Sequence, residues 1–288
     1  MVDIPPEIPP VDYIARWRAI VERRRIQMEA AYAAAGLTNV DYWGRRAKQY
    51  RAALHARTDE DPFFLRVRSA VSPRTTVLDV GAGTGRHTLA LAPLVARVTA
   101  VDPSAAMLGL LREDLAASGL ANVDAVQQEW LDAEVPPADI VICSHVLYPI
   151  ADVVPFIAKL QAHARQRVFV YLRIDPLSTE MGLWREFYGM PLQTQPTAYD
   201  LLGVMWQMDI APDVEVVHHP FTFHYHDIDE AQVQLRNALC LREDDEAAAA
   251  RLRGLLEERL VRRPDGRLGP PIESARSAII SWAGSASA

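Results

Sequence analysis

Cysteine is scarce in this chain. Cys143 and Cys240 are the two in 288 residues, and they form no CxxC pair. Cys143 lies in an apolar run, where burial as a small hydrophobe is its expected use. Positive charge is also short, with 30 Lys and Arg against 37 Asp and Glu and a formal net charge of −7. Nucleic-acid binding rests on neutralised phosphates, so a chain of this sign has no global attraction to that partner, and none is expected. No uninterrupted apolar run reaches membrane-spanning length, and no secretory signal pattern is visible. A cytoplasmic location with no membrane partner is the expectation.

What is present is enough for a sizeable core. Hydrophobic residues make up 50% of the chain, which suits one α/β domain with additions. Residues 77 to 86 read Val-Leu-Asp-Val-Gly-Ala-Gly-Thr-Gly-Arg. Thr76 to Val80 is short, apolar and β-branched, as in a strand buried on both faces of a parallel sheet. Gly81, Gly83 and Gly85 permit positive φ and let a ligand approach the backbone. His87 to Ala96 then reads as a helix whose first amides point at that ligand. Val98 to Val101 is the next strand, and Asp102 ends it, at the spacing where a carboxylate meets the ribose of a bound nucleoside.

The glycine turn does not fit a diphosphate. Counted from Gly81, the last position of the dinucleotide pattern G-x-G-x-x-G/A falls on Arg86, and no Gly-Lys-Ser/Thr follows to make a P-loop. Asp79, before the first glycine, would repel phosphate and favour a ligand ammonium, directly or through water.

These residues resemble the class I S-adenosylmethionine-dependent methyltransferases. Val77 to Arg86 is similar to the first motif of that family, with Gly81, Ala82, Gly83 and Gly85 under the donor. Val101-Asp102-Pro103-Ser104 is similar to the second, with Met107 placed near the adenine. In Val126-Gln127-Gln128-Glu129-Trp130, the resemblance puts Glu129 where an acid accepts from the adenine N6, with Trp130 beside it. Ala138 to Tyr148 resembles the fourth strand and the loop leaving it, which passes under the methyl donor at Ser144. Tyr42 to Tyr50 is similar to a W-x-x-x-A-x-x-Y segment that precedes the first motif in many small-molecule members. There Tyr50 would sit over the donor's methionine end, with Arg46 near its carboxylate. The resemblance covers about residues 42 to 175 and implies S-adenosylmethionine as methyl donor, with no metal.

The alternation of elements continues beyond Asp102: helix 104–118, strand 123–127, strand 138–143, helix 151–164, strand 167–174. This predicts a doubly wound α/β fold. The resemblance implies a seven-stranded, mostly parallel sheet of order 3-2-1-4-5-7-6, with strand six from Val214 to His226 and the last strand from Ser277 to Trp282. N-terminal helices, among them Val11 to Ala35, precede this core. Two helices, Asp229 to Leu241 and Asp244 to Arg262, form an insertion before the last strand. The expected division is 1–65 as an arm and helices capping the donor site, 66–226 as core, 227–276 as helical insertion, and 277–288 as final strand and tail. Within the core, 175–196 is an irregular segment whose aromatics at 184 to 190 either wall the acceptor pocket or pack as a crossover. The basic face of the first helix reads as solvated. That helix or the insertion is a candidate homodimer contact.

The donor's sulfonium makes its methyl electrophilic, so the protein must mainly align a nucleophile. His145, just beyond the fourth strand, is the candidate general base, and ordering of the loop is its alternative use. Tyr148 is a second candidate contact to a small-molecule acceptor. His218, His219, His224 and His226 invite a metal reading, but no third ligand is spaced for one, and structural use is expected. The expected activity is methyl transfer to an O, N or S atom. A non-catalytic S-adenosylmethionine-binding module and an aminopropyltransferase using the decarboxylated donor are the alternatives.

Overall fold

The computed structural model describes residues 10–37, 51, 61–175, 178–221 and 224–286. Short β-branched runs that have no polar face become the central strands. They are β1 (Thr76–Val80), β2 (Arg97–Val101), β3 (Val123–Val126), β4 (Ala138–Ser144) and β5 (Ala164–Arg173), all parallel. β6 (Asp213–Pro220) forms the far edge, and the last strand, β9 (Ser274–Ala283), inserts antiparallel between β5 and β6. The sheet order is β3-β2-β1-β4-β5-β9-β6, the expected 3-2-1-4-5-7-6 with β9 as seventh strand. A small hairpin, β7 (Val261–Arg262) with β8 (Leu268–Gly269), stands apart from it.

Alternation along each strand sends successive side chains to opposite faces and makes two cores. On one face Leu78, Val80, Val141 and Cys143 pack with Trp17, Val21, and the helices Val153–His163 and Ala198–Gln207. On the other, Val77, Ile140, Ile142, Phe169 and Tyr171 pack with Phe63, Phe64 and Val67 of the helix Pro62–Arg68. A third cluster joins the inserted helices Ile228–Ala238 and Glu246–Arg259 to Leu183 and Trp184.

The first helix runs Tyr13–Ala34, with Asp12 accepting from the Ala15 amide as N-cap. Trp17 is fully buried, and its Nε1 donates to the Ile150 carbonyl at 2.7 Å. Arg25 pairs with Glu22 and Glu29 along the outer side of this helix. Gln27 exchanges hydrogen bonds with the Pro191 carbonyl and the Gln193 amide, tying the helix to the segment after residue 189.

Several boundaries differ from expectation for local reasons. The helix after the glycine turn is α-helical only over Arg86–Leu91 and tightens to a 3₁₀ turn at Ala92–Leu94, because Pro93 has no amide to continue the ladder. Segment 175–196 is not irregular throughout: Thr179–Tyr188 is a helix that stops at Gly189, whose φ is +69°. Strand six ends at Pro220, short of His226. The expected divisions after residues 65 and 276 fall inside the helix Pro62–Arg68 and inside β9. Among the described residues no helix is long and apolar enough to cross a membrane.

Candidate functional site at the carboxyl ends of the strands

The three glycines after β1 all have positive φ, +73°, +57° and +85° in order. Packing accounts for two of them. A Cβ on Gly81 would lie 2.2 Å from Val146 Cγ2, and one on Gly85 would lie 2.3 Å from Leu111 Cδ1. Gly83 is different, since a Cβ there would meet nothing within 4 Å. Its amide donates to Asp102 Oδ2 at 2.8 Å, while Asp102 Oδ1 accepts from the Ser104 amide at 2.9 Å. Asp102 thus spans the bend and the start of the helix Ala105–Ser118.

Asp79 is buried and accepts from the Thr88 hydroxyl at 2.7 Å. Burial, aided by the charge of Asp102, raises its carboxyl above the ordinary value against the opposing pull of His87 and Thr88. Met107 is buried beside Leu110, and Glu129 and Pro103 are exposed. Ser144 is the last residue of β4, and Ala82 packs partly against Leu108 and Leu111. Trp130 is a core residue: its Nε1 donates to the Phe156 carbonyl at 3.3 Å, so its side chain serves packing, and contact with a nucleoside would fall to its backbone. Tyr50 and Arg46 lie outside the described residues.

The turn after β4 is set by His145, which holds φ at +59°, a left-handed conformation uncommon for a side chain with a Cβ. The His145 amide donates to the Tyr171 carbonyl at 2.9 Å. Its Nδ1 lies 2.8 Å from the Tyr148 hydroxyl, which accepts from the Arg173 amide at 3.0 Å. Burial foremost, then the charges of Arg173 and Arg86, push the imidazole well below its ordinary value of 6.5. His145 is therefore neutral at physiological pH and able to accept a proton.

A group not singled out from the sequence adjoins it. Asp61 caps the helix Pro62–Arg68 through the Phe63 amide, and its Oδ2 lies 2.8 Å from His87 Nε2 and 3.1 Å from Arg86 Nη2. Burial would raise Asp61, but the His87 bond and the charges of His87 and Arg86 outweigh it and hold the carboxyl below its ordinary value. Phe63 stands edge-on to His87 and stacks on Tyr171 at 5.1 Å, while Tyr171 lies 4.7 Å from the His145 ring. Burial pushes the Tyr171 hydroxyl up to about 12. The Asp61-Pro62 pair is a visible helix start, cap then N1 proline, but its sequence says nothing of His87.

A small open recess of about 20 Å³ is lined by Tyr148, Arg24, Arg173, Ser178, Met181 and residues 195–197. The aromatics of 184–190 are not its wall. Trp184 is buried and stacked on Tyr188 at 4.2 Å, and the Tyr188 hydroxyl donates to the Leu239 carbonyl, fastening this helix to the insertion. Nor do the histidines of 218–226 gather around a metal. His219 Nε2 meets Ser277 Oγ at 2.9 Å, His226 Nδ1 meets Asp227, and no metal-holding group of His, Cys, Asp or Glu exists among the described residues.

Residues 77–167 match the family described as a methyltransferase domain. The fold is similar to that of a proposed methyltransferase from Bacillus halodurans C-125, at 16% identity and a TM-score of 0.52 over 76% of this chain and 96% of that one. The YcgJ protein of Bacillus subtilis is similar at 16% identity and 0.52, over 78% and 99% of the two chains. Magnesium protoporphyrin IX methyltransferase from Synechocystis PCC 6803, with bound SAH, is similar at 14% identity and 0.51, over 94% and 99%. No curated protein matches by sequence. Strand order and family match agree: the molecule has the class I, Rossmann-like methyltransferase fold, and residues 77–167 match the methyltransferase-domain family within it.

Proposed function

We propose that this chain transfers a methyl group from S-adenosylmethionine to an oxygen, nitrogen or sulfur atom of a small molecule. The observation that carries this reading is Gly83. Its backbone is left-handed, its missing side chain leaves open space, and Asp102 grips its amide. Packing explains the other two glycines and not this one, whereas close approach of a ligand explains it.

The residues present suit the donor. Asp102 bonds the Gly83 and Ser104 amides at the bend, and a carboxylate at that place suits the sugar hydroxyls of a nucleoside. Glu129 is exposed beyond β3 and suits an exocyclic amine, with Met107 as apolar wall. The Synechocystis protein of this fold holds SAH, the product such a donor leaves. S-adenosylmethionine supplies an electrophilic methyl group when bound, so the chain's own task is to orient the acceptor and take its proton. His145 is uncharged at neutral pH, and Tyr148, bonded to its Nδ1, fixes the ring.

Calorimetry with S-adenosylhomocysteine tests the donor site. Binding to the natural chain is expected, weakened about tenfold or more in Asp102→Ala and less in Asp102→Asn, which keeps one acceptor oxygen. Absence of binding by the folded natural chain refutes the reading. Methyl transfer from isotopically labelled donor into metabolite extracts then tests turnover.

A further inference from the structure

We infer that two copies of this chain join edge to edge through β6, antiparallel about a two-fold axis at Val216, so that their sheets become one. The inference does not depend on the reaction.

The open sheet has two edges. β3 is short, at four residues, whereas β6 has eight. Short edges resist pairing with another chain, and long ones invite it. The Phe221 amide donates to the Glu273 carbonyl and continues the β6–β9 ladder, so the odd-numbered residues of β6 are the ones that bond β9. Even-numbered residues therefore turn their backbone outward. The N–H and C=O groups of Val214, Val216 and His218 make no hydrogen bond among the described residues. Val214 and Val216 are also 44% and 50% exposed. Their register partners on β9, Ile280 and Ala278, lie in the core shared with helix Ala198–Gln207, so the two valines carry that apolar face to the rim of the sheet. Tyr199 and Trp206 of the same helix are exposed as well. An apolar rim with an open backbone is suited to strand addition.

The strand's own order selects a second copy as the occupant. Prolines stand at 212 and 220, equally far from Val216 on either side. Neither can donate to a ladder, which confines pairing to the run between them. Two copies crossed at Val216 set Pro212 opposite Pro220, where no N–H is needed. Val216 then faces Val216 and Val214 faces His218 as hydrogen-bonded pairs, giving about six backbone hydrogen bonds between the copies. An axis at Val217 would instead bring Val214 against Pro220, which has no N–H to give. The axis at Val216 also sets Asp213 of one copy opposite His219 of the other, acidic half against histidine half, while a parallel alignment would set acid against acid. Arg167 and Arg66 pair with Asp213 and Glu215 within the chain, so the edge lacks the unpaired charge that wards off another strand. The contact is self-complementary and closes as a two-fold pair. The carboxyl ends of the two sheets then face opposite ways, and both stay open.

Sedimentation velocity on the full chain from about 1 to about 100 µM tests this, with a rise from monomer to dimer mass expected. Val216→Pro removes the N–H groups at the axis, which in a single copy face outward, and Val216→Lys sets two like charges together there. Each should weaken dimerisation about tenfold or more, with circular dichroism unchanged to report that the variants fold. Val216→Cys is a milder change. It should cross-link to a second copy under gentle oxidation, because a hydrogen-bonded pair holds its Cα atoms about 5.5 Å apart. Val233→Cys, exposed on an inserted helix, should not, and the natural thiols are buried. A natural chain that stays monomeric over this range, a dimer that survives both Val216→Pro and Val216→Lys, or cross-linking of Val233→Cys in place of Val216→Cys overturns the inference.

Discussion

Glycines that look alike in sequence do different work. Gly81→Ala must place a Cβ against Val146 and hold φ at +73°, so strain and overpacking add, with a cost of about 2–4 kcal/mol. Gly83→Ala meets no neighbour and bears only the left-handed cost of about 1–2 kcal/mol. Denaturant unfolding should rank the two in that order, while donor affinity should fall more per unit of lost stability in Gly83→Ala. Equal stability losses would refute the packing account of Gly81. At His145 the sign of the pH effect follows from proton counting. The unfolded imidazole takes a proton near 6.5, whereas the folded one takes it only well below that value, so acid favours unfolding. Stability contributed by the neutral ring is present above 6.5 and lost as pH falls below it. Between pH 8 and pH 5.5 the natural chain should lose about 1 kcal/mol more than His145→Asn, in which a residue tolerant of positive φ keeps the turn. An equal loss in both chains would contradict the depressed ring. The bend, Asp102 and His145 were legible because each sits inside a local pattern. The Asp61–His87–Arg86 group was not, because it is assembled by packing of a helix against the turn and has no pattern of its own.

Among the elements, the parallel strands were readable from their β-branched, doubly buried runs, and the order of the sheet from its resemblance. Helix Thr179–Tyr188 was obscured by Gly182 in its middle, a breaker that the helix absorbs, and by Pro191 just beyond its end. The first helix contributes more than its polar sequence suggests, because a single turn carries Trp17 into the sheet core. Trp17→Ala should cost about 3–5 kcal/mol in urea or guanidinium unfolding. A cost below about 1 kcal/mol would mean that the helix is not part of the cooperative core. Helix Ala198–Gln207, on which it rests, begins with a reciprocal capping box between Thr197 and Asp200 that the Thr-Ala-Tyr-Asp spacing displays openly.

For the whole molecule, the sequence conveyed the layered α/β plan and the glycine bend that Asp102 joins at the carboxyl ends of the strands. The recess beside Tyr148 was not legible, since the residues lining it are scattered from Arg24 to Thr197 and meet only through the fold. The insertion was foreseen as two helices, but not that it builds its own apolar cluster with Ala31, Leu183 and Trp184. Each of the molecule's two thiols is buried in a different cluster, Cys143 mid-sheet and Cys240 at the end of an inserted helix, next to an exposed stretch. They therefore work as two clocks. A thiol-reactive dye added to the native chain can label Cys240 whenever the smaller cluster opens, but must wait for the sheet itself to come apart before reaching Cys143. Mass spectrometry should find the first adduct at Cys240, and adducts arriving at both sites together would make insertion and sheet a single cooperative unit.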